Sequence, residues 1–527
     1  MLKKLSKLLI VLVAVALSLT AFVACNGGGI HDPIDDEYWL EVDCLSDVDT
    51  SGWTVRNRPQ LSGELRITYF DGGFGGDWIS AMARRFEEEY DVTVTLIPRR
   101  TGFHDLMLGE LRGLQGQTTS DIYIAQNISW QSFAGQGHIA NLDGLFASTV
   151  YTDSNSPNSP VTFRDRIARA TIRTSRMRGR DGNVSHWQVP FVMGVGGLAY
   201  DAALFEQHNW EVPETTEDLY NLLRRISSAP LTPARPGGTV APITWSGSSQ
   251  YLWDSVVFDW WAQLAGIGRE DHAEVAQPTS IMNFNRYETS AQFNPEYWPE
   301  LKAAWTEWYN LIAIRPAHSD AGFSARDHFA AQQRFIQGHA AMIPAASFLV
   351  SELARTPLLA ANPEVNIRMM PTPIIAGARE DADGNPIRTS SMLEYNQNII
   401  VAQRAPNKEA AKEFLRFMTE RDISLLFPEH THGALLAHRY DLEELHYNAR
   451  SDWERSIYEI MKTSLRFSTW SDHPIYTMTS AGVWPDAHAY DQAASRPNTT
   501  TPDAVFDRRW NTARNNWNRW LRDAGLR

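Results

Sequence analysis

Apolar positions along the chain fall into two rhythms, one alternating and one helical. "ELRITYF" (64–70) alternates and predicts a strand. It breaks into a glycine-rich run, Gly72, Gly73, Gly75 and Gly76 around Phe74. Beyond it Ile79, Met82, Ala83 and Phe86 share one stripe, which predicts a helix with Asp77 as its cap. "VTVTLIP" and "SDIYIAQ" predict the next two strands. Thr215 and Asp218 form a capping-box pattern before "EDLYNLLRRI", and Asn407 stands as cap before a face of Ala411, Phe414, Leu415 and Met418. Between them, Tyr297 to Ile314 carries Leu301, Trp305, Trp308 and Ile312 on one side, and the C-terminus repeats the pattern with Trp510, Ala513, Trp517 and Leu521. Short strands alternating with amphipathic helices predict an α/β fold.

Composition narrows the function classes. At 527 residues the chain exceeds one typical domain. A formal net charge of −14 argues against a nucleic-acid surface, which needs a concentrated basic face, so nucleic acid is not an expected partner. The 19 tryptophans are numerous, and flat indoles serve both as core and as stacking surfaces for sugars.

Lys3, Lys4 and Lys7 precede "LLIVLVAVALSLTAFVA", which reads as a targeting segment over residues 1–24. "FVAC" at its end resembles a lipobox, with Cys25 as the lipidated residue; an ordinary cleaved signal followed by a chance Cys is the alternative. Multiple acyl chains, palmitate among them, would hold the protein at the extracytoplasmic face of the cell membrane. Cys44 is then a lone thiol, and no internal disulfide is expected. Residues 25–61, Gly-rich and then acidic ("HDPIDDEYWLEVD"), read as a solvated tether whose spacing does not match a calcium loop.

The familiar chemical motifs are missing. "GGFGGDW" is not a phosphate-binding glycine pattern, and Asp77 at the helix start would repel phosphate. "TSAG" (479–482) lacks the leading glycine of a nucleophile elbow. "HTH" (430–432) and nearby His438 have no matching carboxylate or Cys pattern, so neither a metal nor another cofactor is expected. A pair of cleft carboxylates, as in a glycoside hydrolase, leaves no mark in sequence spacing and stays open.

Several segments in order resemble the solute-binding proteins of bacterial ABC importers, in particular the extracellular family 1 group of carbohydrate-binding lipoproteins. They are the lipobox, "WISAMARRFEEEYDVTV", "SDIYIAQNISWQSFAGQGHIANLDGLF", "VPFVMGVGGLAYDAALFEQHNWEVPETTEDL", "FIQGHAAMIPAASFL", "VNIRMMPTP" and "NIIVAQRAPNKEAAKEFLRFMT". The resemblance implies a two-lobe periplasmic-binding-protein-like fold of type II, with a hinge and a central ligand cleft. By analogy the N-lobe holds 62–190 and 396–431, and the C-lobe holds 191–395 and 432–527. It implies no catalysis: a monomer captures a sugar, expected to be an oligosaccharide, by hinge closure and hands it to the transmembrane permease subunits. A secreted carbohydrate-active enzyme and a sensory lipoprotein on the same fold are the alternatives.

Under that resemblance the glycine run becomes a cleft-facing loop, with Asp71, Gly73 and Phe74 as candidate ligand contacts. The Asp71 carboxylate can accept sugar hydroxyls or simply cap a turn. Gln126 and Asn127 follow a strand and can bind hydroxyls, while Trp130 either faces the cleft or packs. Trp245, Gln250 and Trp253 are candidates on the C-lobe side, with Phe348 and Trp484 at positions similar to the family's stacking aromatics. Each aromatic has core packing as its plainer role. Gly194 stands where some family members carry a hinge side chain, so maltose-like recognition is not implied.

Overall fold

The computed structural model describes residues 52–113, 119–126, 128, 130–153, 160–172, 175–178, 183–228, 239–247, 253–266, 299–381, 383–392, 397–468 and short pieces of 501–519. Cys25, Cys44, Asn127, Gln250, Trp484 and the whole C-terminal stripe, Trp510, Ala513, Trp517 and Leu521, lie outside the described residues.

Two sheets organise the chain. The first has five strands in the order Asp91–Arg99, Ser62–Phe70, Ile122–Gln126, Gln397–Val401, Val189–Pro190. Its first three strands pair in parallel; Gln397–Val401 pairs antiparallel to both of its neighbours. The second has four strands in the order Ala241–Ile243, Ala340–Ala346, Gly196–Asp201, Ile367–Met370. Its strand Gly196–Asp201 is buried at every position, as expected of a central strand covered on both faces. Between the sheets the chain passes through a short pair, Val192–Met193 against Leu435–Leu436.

Helices cover both sheets as their periodicity predicts. In the helix Asp77–Glu89 the stripe Ile79, Met82, Ala83 and Phe86 is buried, with Trp78 added to it. Phe86 meets Phe414 and Phe417 of the helix Lys408–Met418 edge-on, at ring separations of 5.2 and 5.4 Å. The cap differs from expectation: Gly76 holds that position without a side-chain bond, and Asp77 is the first helical residue, where its charge still favours the positive end of the dipole. The other caps form as read. Thr215 and Asp218 exchange side-chain-to-backbone bonds of 3.1 Å, and Asn407 Oδ1 accepts from the Ala410 amide at 3.3 Å.

The second lobe is built around indoles. Trp245, Trp253, Trp260, Trp261, Trp305 and Trp308 all sit in one core with at most 1% exposure. Trp253 stacks on Trp308 at 5.5 Å, and two of the buried N–H groups find acceptors, Trp245 on Ser319 and Trp260 on the Pro373 carbonyl. The helix carrying Trp305 ends at Trp308 and widens into a π turn, Tyr309–Ala313, which keeps Ile312 on the buried side.

Within the stretch read as a tether, Trp53–Val55 forms a strand against Thr149–Asp153. Arg56 extends this attachment by pairing with the buried Glu413, which also accepts from Tyr90. No helix among the described residues is long and apolar enough to cross a membrane.

Candidate functional site

Where strands of the first sheet end facing the helix Leu349–Ala354 of the second lobe, a cavity of about 720 Å³ opens. That volume suits a small organic ligand. The first-lobe wall comes from three strand ends. Ser62–Phe70 delivers the loop 71–76, Ile122–Gln126 delivers Gln126, and Gln397 lies directly opposite Gln126 in the ladder. The second-lobe wall carries His328, Phe329, Phe348, Glu352 and Arg355.

The glycine loop owes its composition to crowding on both sides. The Asp71 amide donates to the Arg99 carbonyl at 2.9 Å, and the Gly75 amide closes a turn on Gly72 at 3.1 Å. Gly75 takes a left-handed φ of 72°. A β-carbon on Gly73 would stand 2.8 Å from Glu352 Oε1 of the opposite lobe, and one on Gly76 would stand 2.2 Å from the Tyr69 hydroxyl. The close approach that glycine permits here is therefore to protein groups, one of them across the cleft. Phe74 turns inward at the loop tip and meets Phe191, Phe348 and Phe427 at 6.2, 6.0 and 5.4 Å. Residues of both lobes thus share one aromatic cluster at the cavity base.

Charged groups join the lobes as well. Arg355 donates to Asp71 Oδ1 at 2.7 Å and to the Gly72 carbonyl. Arg100 approaches the same carboxylate at 3.7 Å and donates to the Asp71 carbonyl at 3.1 Å. Glu352 is held by Gln332, whose amide donates to Oε2 at 2.6 Å. Burial pushes the Glu352 carboxyl up to about 7, against smaller opposing pulls from Gln332 and Arg355. Burial likewise holds His328 below its ordinary value. Its ring lies 4.1 Å from that of Phe329, which is 60% exposed and offers the cavity an open aromatic face.

Among the candidates drawn from the sequence, Asp71, Gly73, Phe74, Gln126 and Phe348 line this cavity together. Phe348 is itself only 3% exposed, so it contributes an edge rather than a platform. Trp130 is 2% exposed and packs with Phe133 and Ile128 beneath the first sheet, away from the cavity wall. Trp245 and Trp253 lie fully inside the second lobe's core, where no surface remains for a ligand. Residues that sequence reasoning passed over are Gln397, Phe329, Glu352, Arg355 and Arg100. Only their position in the folded chain distinguishes them, because Gln397, Phe329 and Glu352 sit in ordinary helix or strand patterns and Arg100 and Arg355 lie just past the ends of such elements. Among the described residues no group of His, Cys, Asp and Glu is placed to hold a metal ion.

Comparison with known proteins supplies the family. The chain matches solved structures along most of their length. One is the GacH receptor of Streptomyces glaucescens, solved unliganded and with acarbose: 16% identity, TM-score 0.57, 86% of this chain and 98% of that one. Another is RafE from Streptococcus pneumoniae in its apo form: 13% identity, TM-score 0.58, 87% and 98%. A third is maltose-bound MalE3 of T. maritima: 16% identity, TM-score 0.56, 86% and 99%. At such identities the likeness establishes the fold, a two-lobe binding-protein architecture. No curated protein matches the sequence significantly. Residues 75–423 match the bacterial extracellular solute-binding protein family, and the chain belongs to that family.

Proposed function

We propose that this protein is the extracytoplasmic capture component of an ABC importer, anchored through Cys25, and that it takes a sugar, in the form of an oligosaccharide, between its two lobes. The observation that carries this reading is the cavity itself. Amide side chains of Gln126 and Gln397 stand beside the Asp71 loop, facing the exposed ring of Phe329 across the cleft. Polar groups of this kind fix hydroxyl positions, while an aromatic face covers the apolar side of a pyranose. The receptors similar in fold that were solved with acarbose and with maltose support a carbohydrate as ligand. Capture needs only differential affinity for the closed arrangement, since a ligand that bound both states equally would shift nothing.

One observation favours a second reading. Glu352 and Asp71 are two carboxyls on one cavity, and a carboxyl raised to about 7 suits a general acid. Against it, Asp71 is engaged by Arg355 and approached by Arg100, which leaves it poorly placed as a nucleophile or base. Calorimetric titration of the mature domain with acarbose, maltotriose, raffinose and xylotriose, with product analysis of the same samples, separates the readings. One-to-one binding with intact sugar supports capture. Cleavage products establish the hydrolase, and silence across a wide panel, extended to peptides, removes carbohydrate as the ligand class.

A further inference from the structure

Away from the ligand cavity, a second and smaller space of about 30 Å³ lies where three distant segments meet, lined by Arg166, Arg421, Arg439, Tyr440, Asp441 and Glu444 among others. Arg166 is only 4% exposed. Its Nε donates to the Thr419 carbonyl at 3.1 Å, and its guanidinium lies 5.9 Å from the Trp53 ring and 5.8 Å from the Tyr151 ring. Among the described residues no carboxylate pairs with it. A buried cation in that position is costly unless something compensates its charge, and two aromatic faces compensate only in part.

The neighbouring charges leave an excess of one positive charge. Arg421 and Arg439 border the same space with two carboxylates, so three guanidinium groups stand there against two negative charges. Glu444 pairs with Arg421, and Asp441 caps the helix Leu442–Tyr447 by accepting the Glu444 amide at 3.0 Å. His438, next in the chain to Arg439, is fully buried and held down to about 3, first by burial and then by Arg166, so it stays neutral. Burial also holds the Arg166 guanidinium below its ordinary value, and Arg439 and Arg421 push the same way.

We propose that this space is a binding site for a small monovalent anion of chloride type, held chiefly by the buried Arg166 guanidinium together with Arg439. A water-sized sphere needs roughly 10–15 Å³, so the space admits a monatomic anion and is too small for phosphate or sulfate. The location gives the ion a structural task. The Arg439 amide donates to the Arg166 carbonyl at 2.7 Å, Ile167 bridges to His438, and the adjoining strands Val192–Met193 and Leu435–Leu436 join the lobes. An anion here ties the segment before the hinge to the segment after it.

The test is thermal unfolding of the wild-type mature domain, without sugar, in sodium chloride and in sodium gluconate at matched ionic strength. Chloride is expected to raise Tm saturably by about 2–4 °C, and bromide to do the same. Arg166→Gln should abolish the difference; should that variant not fold, Arg439→Gln is read in its place and should weaken it. Crystals soaked in bromide should show an anomalous peak beside Arg166. Equal Tm values in chloride and gluconate, or waters alone at that place in bromide-soaked crystals, would overturn the proposal. Neither readout depends on what the larger cavity binds.

Discussion

Replacing Glu352 by Gln isolates one buried proton. The folded carboxyl titrates at about 7 against an ordinary 4.5, a gap of about 2.5 pH units. At about 1.4 kcal/mol per unit the gap amounts to about 3.5 kcal/mol, and solvent entering from the cavity trims this to about 2–3 kcal/mol. Below pH ~4.5 folded and unfolded chains both hold the proton, so the full stability is present. Between ~4.5 and ~7 only the folded chain holds it, and stability falls as pH rises; above ~7 the loss is complete. Glu352→Gln has no such loss, and its amide oxygen still accepts from Gln332. Relative to wild type the variant should therefore gain about 2–3 kcal/mol as pH goes from 4.5 to 8. Urea unfolding across that range, read as the difference between the two proteins, measures it. Taking the difference matters because His186 and His438, held by burial near 4 and 3, lose stability in the opposite direction as pH falls below ~6.5, equally in both. A difference flat to within about 0.5 kcal/mol from pH 4.5 to 8 would refute the reasoning.

Other perturbations probe the remaining links. Phe329→Ala removes an exposed ring, so Tm should move by less than about 1 °C while affinity for whichever sugar binds drops about fivefold or more in calorimetry. Trp308→Ala should cost about 3–5 kcal/mol in urea unfolding, because the indole is 1% exposed and packs against Trp245 and Trp253. Gly76→Ala forces a β-carbon toward the Tyr69 hydroxyl and should destabilise by about 1–3 kcal/mol. Arg355→Ala removes a direct tie between lobes, so small-angle scattering of the unliganded protein should show a larger radius of gyration, and an unchanged profile would mean that the tie does not hold the lobes.

What could be read from the sequence was what depends on neighbours in the chain. The stripe Ile79–Phe86, the capping box at Thr215 and the cap at Asn407 follow from short-range periodicity and hydrogen bonding, and each forms. Asp71 and Gln126 were visible as polar residues at strand ends, where open α/β sheets gather ligands. The opposing wall was not visible. Arg355 is an unremarked helix-end residue until folding brings it across 284 positions to Asp71. Gln397 becomes a neighbour of Gln126 only through strand register. The tryptophans misled for a related reason: an indole suits a core and a sugar platform equally well, and only the packing of Trp245, Trp253 and Trp308 against one another decides between them.

The strand Gln397–Val401 has a consequence for how the protein is made. It lies between Ile122–Gln126 and Val189–Pro190, yet it leaves the ribosome some 270 residues after the first of these. Until it arrives, Ile122–Gln126 is an apolar edge with one row of backbone groups unpaired, open to wrong partners. The helix Lys408–Met418, which closes the hydrophobic face over Phe86, comes later still. The second sheet, complete by Met370, is free to form while the first is still missing a central strand. Folding should thus be slow, limited by loop closure over a long stretch, and a chain truncated before Gln397 should aggregate instead of yielding a stable half.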